Sequence, residues 1–125
     1  MGEYAQALPL YRELYDVCGR FYGRTHGRTT EVLDDLAYVL ARSGQSEEAL
    51  TNYRRLAEIY GEDPHQRKRQ LYATKNVTIT LWILGRTDEA RELCRRLVED
   101  YAALYGVDHP ETTSTAELCR RLSGE

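Results

Sequence analysis

A short phrase returns along this chain at a nearly constant interval, and that periodicity limits the fold more than any other feature. Gly44-Gln45-Ser46-Glu47-Glu48-Ala49 recurs 41 residues later as Gly85-Arg86-Thr87-Asp88-Glu89-Ala90, and stands 42 residues earlier as Gly2-Glu3-Tyr4-Ala5-Gln6-Ala7. Nine residues past each Gly comes Tyr11, Tyr53 or Cys94, and twelve past comes Leu14, Leu56 or Leu97. A second marker keeps the same phase. Tyr22-Gly23-Arg24-Thr25-His26-Gly27-Arg28-Thr29-Thr30 aligns with Tyr105-Gly106-Val107-Asp108-His109-Pro110-Glu111-Thr112-Thr113, and Tyr60-Gly61-Glu62-Asp63-Pro64-His65 is the middle copy. A period of this length marks stacked supersecondary units, none of which buries its apolar face alone.

Between the markers the apolar spacing is helical. Leu33, Leu36, Ala37 and Leu40 fall at i, i+3, i+4 and i+7, and Ala49, Leu50, Tyr53, Leu56 and Ala57 do the same in the next segment. Each Gly is placed to close one helix, and Ser46 or Thr87 to cap the next. The pattern predicts helices over about 3–22, 28–43, 46–60, 66–84, 87–105 and 110–122, with no strands. The second helix of the middle repeat is about one turn shorter and the following helix longer. Pro9 lies in the second turn of the first helix, where it costs a backbone hydrogen bond and is expected to bend the helix.

The Gly-x-x-x-x-Ala helix start, facing a small residue in Leu36-Ala37 and Val77-Thr78, resembles the tetratricopeptide repeat. The period near 42 and the closing Tyr105-Gly106-x-Asp108-His109-Pro110-x-Thr112 resemble its kinesin-light-chain subgroup. That resemblance implies an all-α fold of helical-hairpin repeats in a right-handed superhelical arc, forming one domain over 1–125. The chain opens on a second helix and stops on a first helix, a frame that suggests a piece of a longer array or a protein using those helices as caps.

Composition narrows the function. The longest apolar stretch, Val77 to Leu84, is far short of the roughly 20 residues a spanning helix needs, and no secretory signal is visible at the start. A cytoplasmic location is the default reading. Net charge is −3, with 17 basic and 20 acidic residues, so strong attraction to nucleic acid or an anionic membrane is not expected. Cys18, Cys94 and Cys119 form no Cys-x-x-Cys pair and read as small packing residues in a reducing compartment. His26, His65 and His109 sit at equivalent boundaries, too far apart to share one metal, and read as helix caps. No nucleophile motif or phosphate loop is present, and the adjacent carboxylates Asp34-Asp35, Glu47-Glu48 and Glu99-Asp100 splay apart on their helices and read as a solvated face. The expectation is no catalytic residue, no cofactor and no metal. The doublets Arg54-Arg55, Arg95-Arg96 and Arg120-Arg121, interleaved with acids, read as a salt-bridged outer face.

In the resembled family the first helix of each pair lines an inner groove that holds ligand. Carried over by register from the repeat Gly, its groove positions are Glu31, Asp34, Asp35, Tyr38 and Arg42 in one helix, and Tyr72, Lys75, Asn76, Ile79 and Ile83 in the next. Each set defines one helical face. Family members often carry an Asn before the Leu-Ala pair, where it can bond a peptide backbone; Asn76 fits that role. Trp82 reads either as a partner anchor or as packing beneath the last helix through Leu118 and Leu122. The implied function is a non-enzymatic module that binds a peptide or helix of another protein. The alternatives are self-association through exposed end helices, or a regulatory segment of a larger signalling protein.

Overall fold

A computed structural model describes residues 2–124. Six helices follow one another: α1 (Gly2–Tyr22), α2 (Gly27–Arg42), α3 (Ser46–Gly61), α4 (Arg67–Ile83), α5 (Thr87–Tyr105) and α6 (Pro110–Leu122). A 3-10 turn, Pro64–Gln66, precedes α4 and was not foreseen in the sequence. Among the described residues there is no strand. Each helix packs on its neighbours in sequence, α3 on α4 most extensively. α1 runs unbroken through Pro9.

The repeated glycines end helices by adopting a conformation that other residues avoid. Gly44 has φ +86° and Gly85 φ +80°. Behind each, the chain folds back so that Gln45 N–H donates to the Leu40 carbonyl at 2.8 Å, and Arg86 N–H to that of Leu81 at 2.9 Å. Both are Schellman closures. Ser46 and Thr87 do not cap, contrary to expectation. They are the first helical residues of α3 and α5, and the cap positions fall to Gln45 and Arg86, which give no side-chain bond.

At the other boundary, histidine does the capping. The Nδ1 atoms of His26 and His109 accept from the Arg28 and Glu111 backbone N–H groups, each at 3.1 Å. Each imidazole also stacks on the tyrosine four residues before it, Tyr22 at 4.7 Å and Tyr105 at 4.1 Å. The middle boundary departs from this: Asp63, not His65, caps the 3-10 turn. Buried Thr29 and Thr112 tie the helix starts back to the preceding segment, donating to the carbonyls of Cys18 and Gly106.

The core is a stack of facing apolar stripes. Leu33, Leu36, Ala37 and Leu40 of α2 meet Ala49, Leu50, Tyr53 and Leu56 of α3, and Val77, Leu81, Ala90 and Cys94 continue the same cluster. Ala49 and Ala90 are fully buried, so a larger side chain has nowhere to go. Ala49→Leu or Ala90→Leu should therefore overpack the core and cost about 1–3 kcal/mol. An unchanged thermal melt would mean that the repeat register is wrong.

The cysteine expectation is corrected. Cys94 and Cys119 are joined by a disulfide that ties α5 to α6, their Cα atoms 5.7 Å apart; only Cys18 is free. Cys94 occupies the place that Tyr53 holds one repeat earlier, and its small side chain lets α6 approach closely enough to bridge.

The outer face carries an ion-pair ladder. Arg12, Arg54 and Arg95 stand ten residues past their repeat glycines, and Glu48 and Glu89 stand four past theirs. Arg12 of α1 pairs with Glu48 of α3 through its two terminal guanidinium nitrogens, one bond being 2.9 Å long, and Arg54 of α3 reaches Glu89 of α5 at 3.5 Å. Arg95, on the last rung, turns instead to Glu92 on its own helix. The salt-bridged face expected from the doublets thus has a repeat logic, in which position ten of one unit holds position four of the next.

Candidate functional site

α2 and α4 are the first helices of two successive pairs, and a concavity of about 260 Å³ opens between them. Glu31 and Asp34 of α2 stand on one side; Lys68, Arg69 and Tyr72 of α4 stand on the other, with Leu56, Tyr60 and Ala73 completing the lining. Of the ten groove positions carried over from the resemblance, Glu31, Asp34 and Tyr72 therefore share one cavity.

The remaining seven spread along the same two helices. Tyr38 is 50% exposed, and its ring meets Tyr4 of α1 edge-on at 6.0 Å. The Arg42 guanidinium covers both rings, 5.7 Å from Tyr4 and 5.9 Å from Tyr38. Ile83 is exposed and Ile79 half-buried. Asn76 is half-buried, and its side-chain amide makes no hydrogen bond among the described residues. Lys75 is committed elsewhere. Its Nζ lies 3.4 Å from the Ser114 hydroxyl and 3.9 Å from Glu111, so it joins α4 to α6. Trp82 stays 47% exposed, whereas Leu118 and Leu122 enter the core.

The acidic residues of this face are paired differently from those that begin α5. On α5, Asp88, Glu89 and Glu92 each have an arginine partner. Among the described residues Glu31, Asp34 and Asp35 have none. Burial, and then the charge of Asp35, raises the Asp34 carboxyl above its ordinary range. Burial and Glu31 do the same to Asp35. The phenol of Tyr53 from α3, 4% exposed, is raised by burial and by the charges of Asp34, Tyr72 and Tyr38. Tyr101 of α5 is pushed up to about 12, by burial first and then by Glu111, Tyr105 and Tyr72. Tyr60 and Tyr72 line the groove beside carboxylates that form no ion pair among the described residues, with Lys68 and Arg69 on the other side. Sequence reasoning placed Tyr53, Tyr60 and Tyr101 in repeat packing alone. Their nine- and sixteen-residue offsets from the repeat glycines were the available signal.

A larger cleft, about 680 Å³, lies on the outer side between α3 and α5 over a floor of Thr74, Val77 and Leu81. It was not foreseen, because it depends on how far apart two second helices stand. Arg54 and Glu89 bridge it, Asp88 and Glu92 pair with the neighbouring Arg91 and Arg95, and Glu58 and Arg96 form no ion pair among the described residues.

Two tetratricopeptide-repeat family models match this sequence, one over residues 1–62 and the other over 72–111. The chain belongs to the tetratricopeptide-repeat family. Its fold is the one seen in crystal structures of the kinesin-light-chain-type, nearly identical TPR-like repeats of Podosopora anserina. One superposes with a TM-score of 0.81 at 18% identity, covering 97% of this chain and 58% of that one. A single-substitution form of the same protein gives 0.80 at 19% identity, covering 97% and 57%. This tetratricopeptide-repeat chain thus spans under two thirds of either. No curated protein matches it. Repeats of this family generally mediate protein–protein interaction, and no described helix is long and apolar enough to cross a membrane.

Proposed function

We propose that the groove between α2 and α4 binds a peptide or helical segment of another protein, and that the segment carries a basic side chain beside an apolar one. The observation that carries this reading is the run Glu31, Asp34 and Asp35, which forms no ion pair among the described residues, beside exposed Tyr72 and across the cavity from Lys68 and Arg69. Carboxylates held side by side without an ion pair repel one another, and an incoming Arg or Lys lowers that cost. Exposed aromatic rings add cation–π attraction for the same group. Asn76, with its amide free, supplies donor and acceptor to the peptide backbone. The ten positions act together in this reading, except that Lys75 stays with α6.

A binding residue of this kind leaves opposed signatures. Asp34 has a raised folded pKa, so it destabilises the fold while ionised, and that cost disappears as pH falls through the raised value. Asp34→Asn should therefore raise the melting temperature at neutral pH while weakening a basic peptide roughly tenfold. Asn76→Ala should remove a bond worth about 0.5–1.5 kcal/mol of binding. Wild-type affinity should fall as pH drops, at a higher pH than for an ordinary exposed carboxylate. The test is to select short peptides from a random displayed library on the intact chain and titrate the winners. Enrichment of basic residues, with binding weakened by Asp34→Asn and kept by Arg54→Ala, supports the groove. Loss through Arg54→Ala with Asp34→Asn neutral would move the site to the outer cleft.

A further inference from the structure

The outer cleft lies in the middle of the chain, among helices that have a neighbour on either side, and the repeat shows why it is open. Ala57 of α3 and Thr74 of α4 line it. One repeat earlier the same two places hold Tyr15 and Leu33, 42 and 41 residues back. Leu33 is fully buried, and Tyr15 packs against the same core with its hydroxyl buried and without a hydrogen-bond partner among the described residues. A phenol ring and an isobutyl group are thus replaced by a methyl and a hydroxyethyl group. The floor stays apolar, because Leu36 and Leu40 have Val77 and Leu81 as counterparts. The space that results is about 680 Å³, inside the roughly 300–1,000 Å³ range of ligand sites.

Two charges on its walls are left over. Glu58 follows Arg54 by one helical turn on α3, and Arg96 follows Glu89 by two turns on α5, so both lie beyond the ion pair that bridges the cleft. Asp16, the counterpart of Glu58, pairs with Arg20 at 2.9 Å, but the place of Arg20 is taken by Glu62 in the second repeat. Asp100, one turn from Arg96, is held instead by Arg67 at 3.2 Å. We infer that the cleft receives a tyrosine side chain of a partner protein, flanked by a basic residue that meets Glu58 and an acidic one that meets Arg96. The ring takes the space that Tyr15 fills one repeat earlier. Its hydroxyl finds there what Tyr15 lacks: the Thr74 hydroxyl donates to the Gln70 carbonyl at 2.9 Å, which leaves its oxygen able to accept from the phenol. The site is separate from the groove between α2 and α4, and its failure would leave that reading untouched.

Methyl-resolved NMR of the intact chain tests this with p-cresol, the tyrosine side chain as a free molecule, and with short blocked peptides. One peptide carries tyrosine between lysine and glutamate; two others carry phenylalanine or serine in its place. The tyrosine peptide should shift the Ala57, Val77 and Leu93 methyl signals at roughly tenfold lower concentration than p-cresol does. The phenylalanine peptide should bind several-fold more weakly and the serine peptide should shift none of these signals. Arg96→Glu should weaken the tyrosine peptide several-fold and leave p-cresol unaffected, and Thr74→Val should erase the preference for tyrosine over phenylalanine. Ala57→Tyr with Thr74→Leu restores the residues of the first repeat. That variant should melt about 3–6 °C higher and bind neither probe. Absence of binding by both probes overturns the inference, as does binding that survives in the filled variant. Equal binding of the three peptides, or of the tyrosine and phenylalanine forms, overturns the assignment of tyrosine. Binding of p-cresol without the tyrosine peptide would make the cleft a small-molecule site and refute the partner.

Discussion

Leu56→Ala or Leu97→Ala should cost about 2–5 kcal/mol of folding free energy, while the repeat-equivalent Leu14→Ala should stay within about 0.5 kcal/mol. The residue type and the place in the repeat are the same in all three; the burial is not. Leu56 and Leu97 are each 1% exposed and Leu14 is 46% exposed. Truncating the first two removes a buried side chain and leaves a cavity between helices, whereas truncating Leu14 trims a surface that water already reaches. Chemical denaturation of the three variants checks this. Equal losses at all three positions would mean that Leu14 is buried like its repeat equivalents.

Breaking the Cys94–Cys119 bond should have a comparable effect. The two residues are 25 apart in sequence, and the loop-entropy treatment assigns a cross-link of that span roughly 3.5 kcal/mol. A chain of this size should then melt on the order of 10 °C lower under reducing conditions. The loss should be concentrated in α6, which meets the rest of the molecule chiefly through α5. Cys94→Ala with Cys119→Ala should reproduce it in the absence of reductant. Three reactive thiols in the unfolded, unreduced chain, together with a melt insensitive to reductant, would show that the bond does not form.

How far the sequence could be read follows from what each feature depends on. Helix ends are local events. The Gly44 and Gly85 closures and the His26 and His109 caps are set within a few residues, and every predicted boundary falls within one residue of its observed place. The fully buried alanines were legible for the same reason, since the repeat itself fixes which face is inside. The disulfide was not legible, because it depends on how closely α5 and α6 approach after folding, and Cys94 simply stands where a tyrosine stands one repeat earlier. Lys75 illustrates the same limit at the groove. Its register put it on the ligand side, but α6 supplies Glu111 and Ser114 to hold it. The ladder from Arg12 to Glu48 and from Arg54 to Glu89 was present in the spacing, yet becomes visible only once adjacent second helices are known to lie side by side. The opposite rims of the outer cleft come from those same helices, and no pattern within either one announces the space between them.

The central claim concerns the inner face, and backbone amide shifts report on it directly. A library-selected basic peptide, titrated into isotope-labelled protein and followed by two-dimensional NMR, should perturb amides of α2 around Glu31 to Tyr38 and of α4 around Tyr72 to Ile79. Those lining the outer cleft, at Arg54, Glu58 and Glu92, should stay in place. Shifts confined to the outer cleft, or to α1, would contradict the assignment of the groove as the binding site.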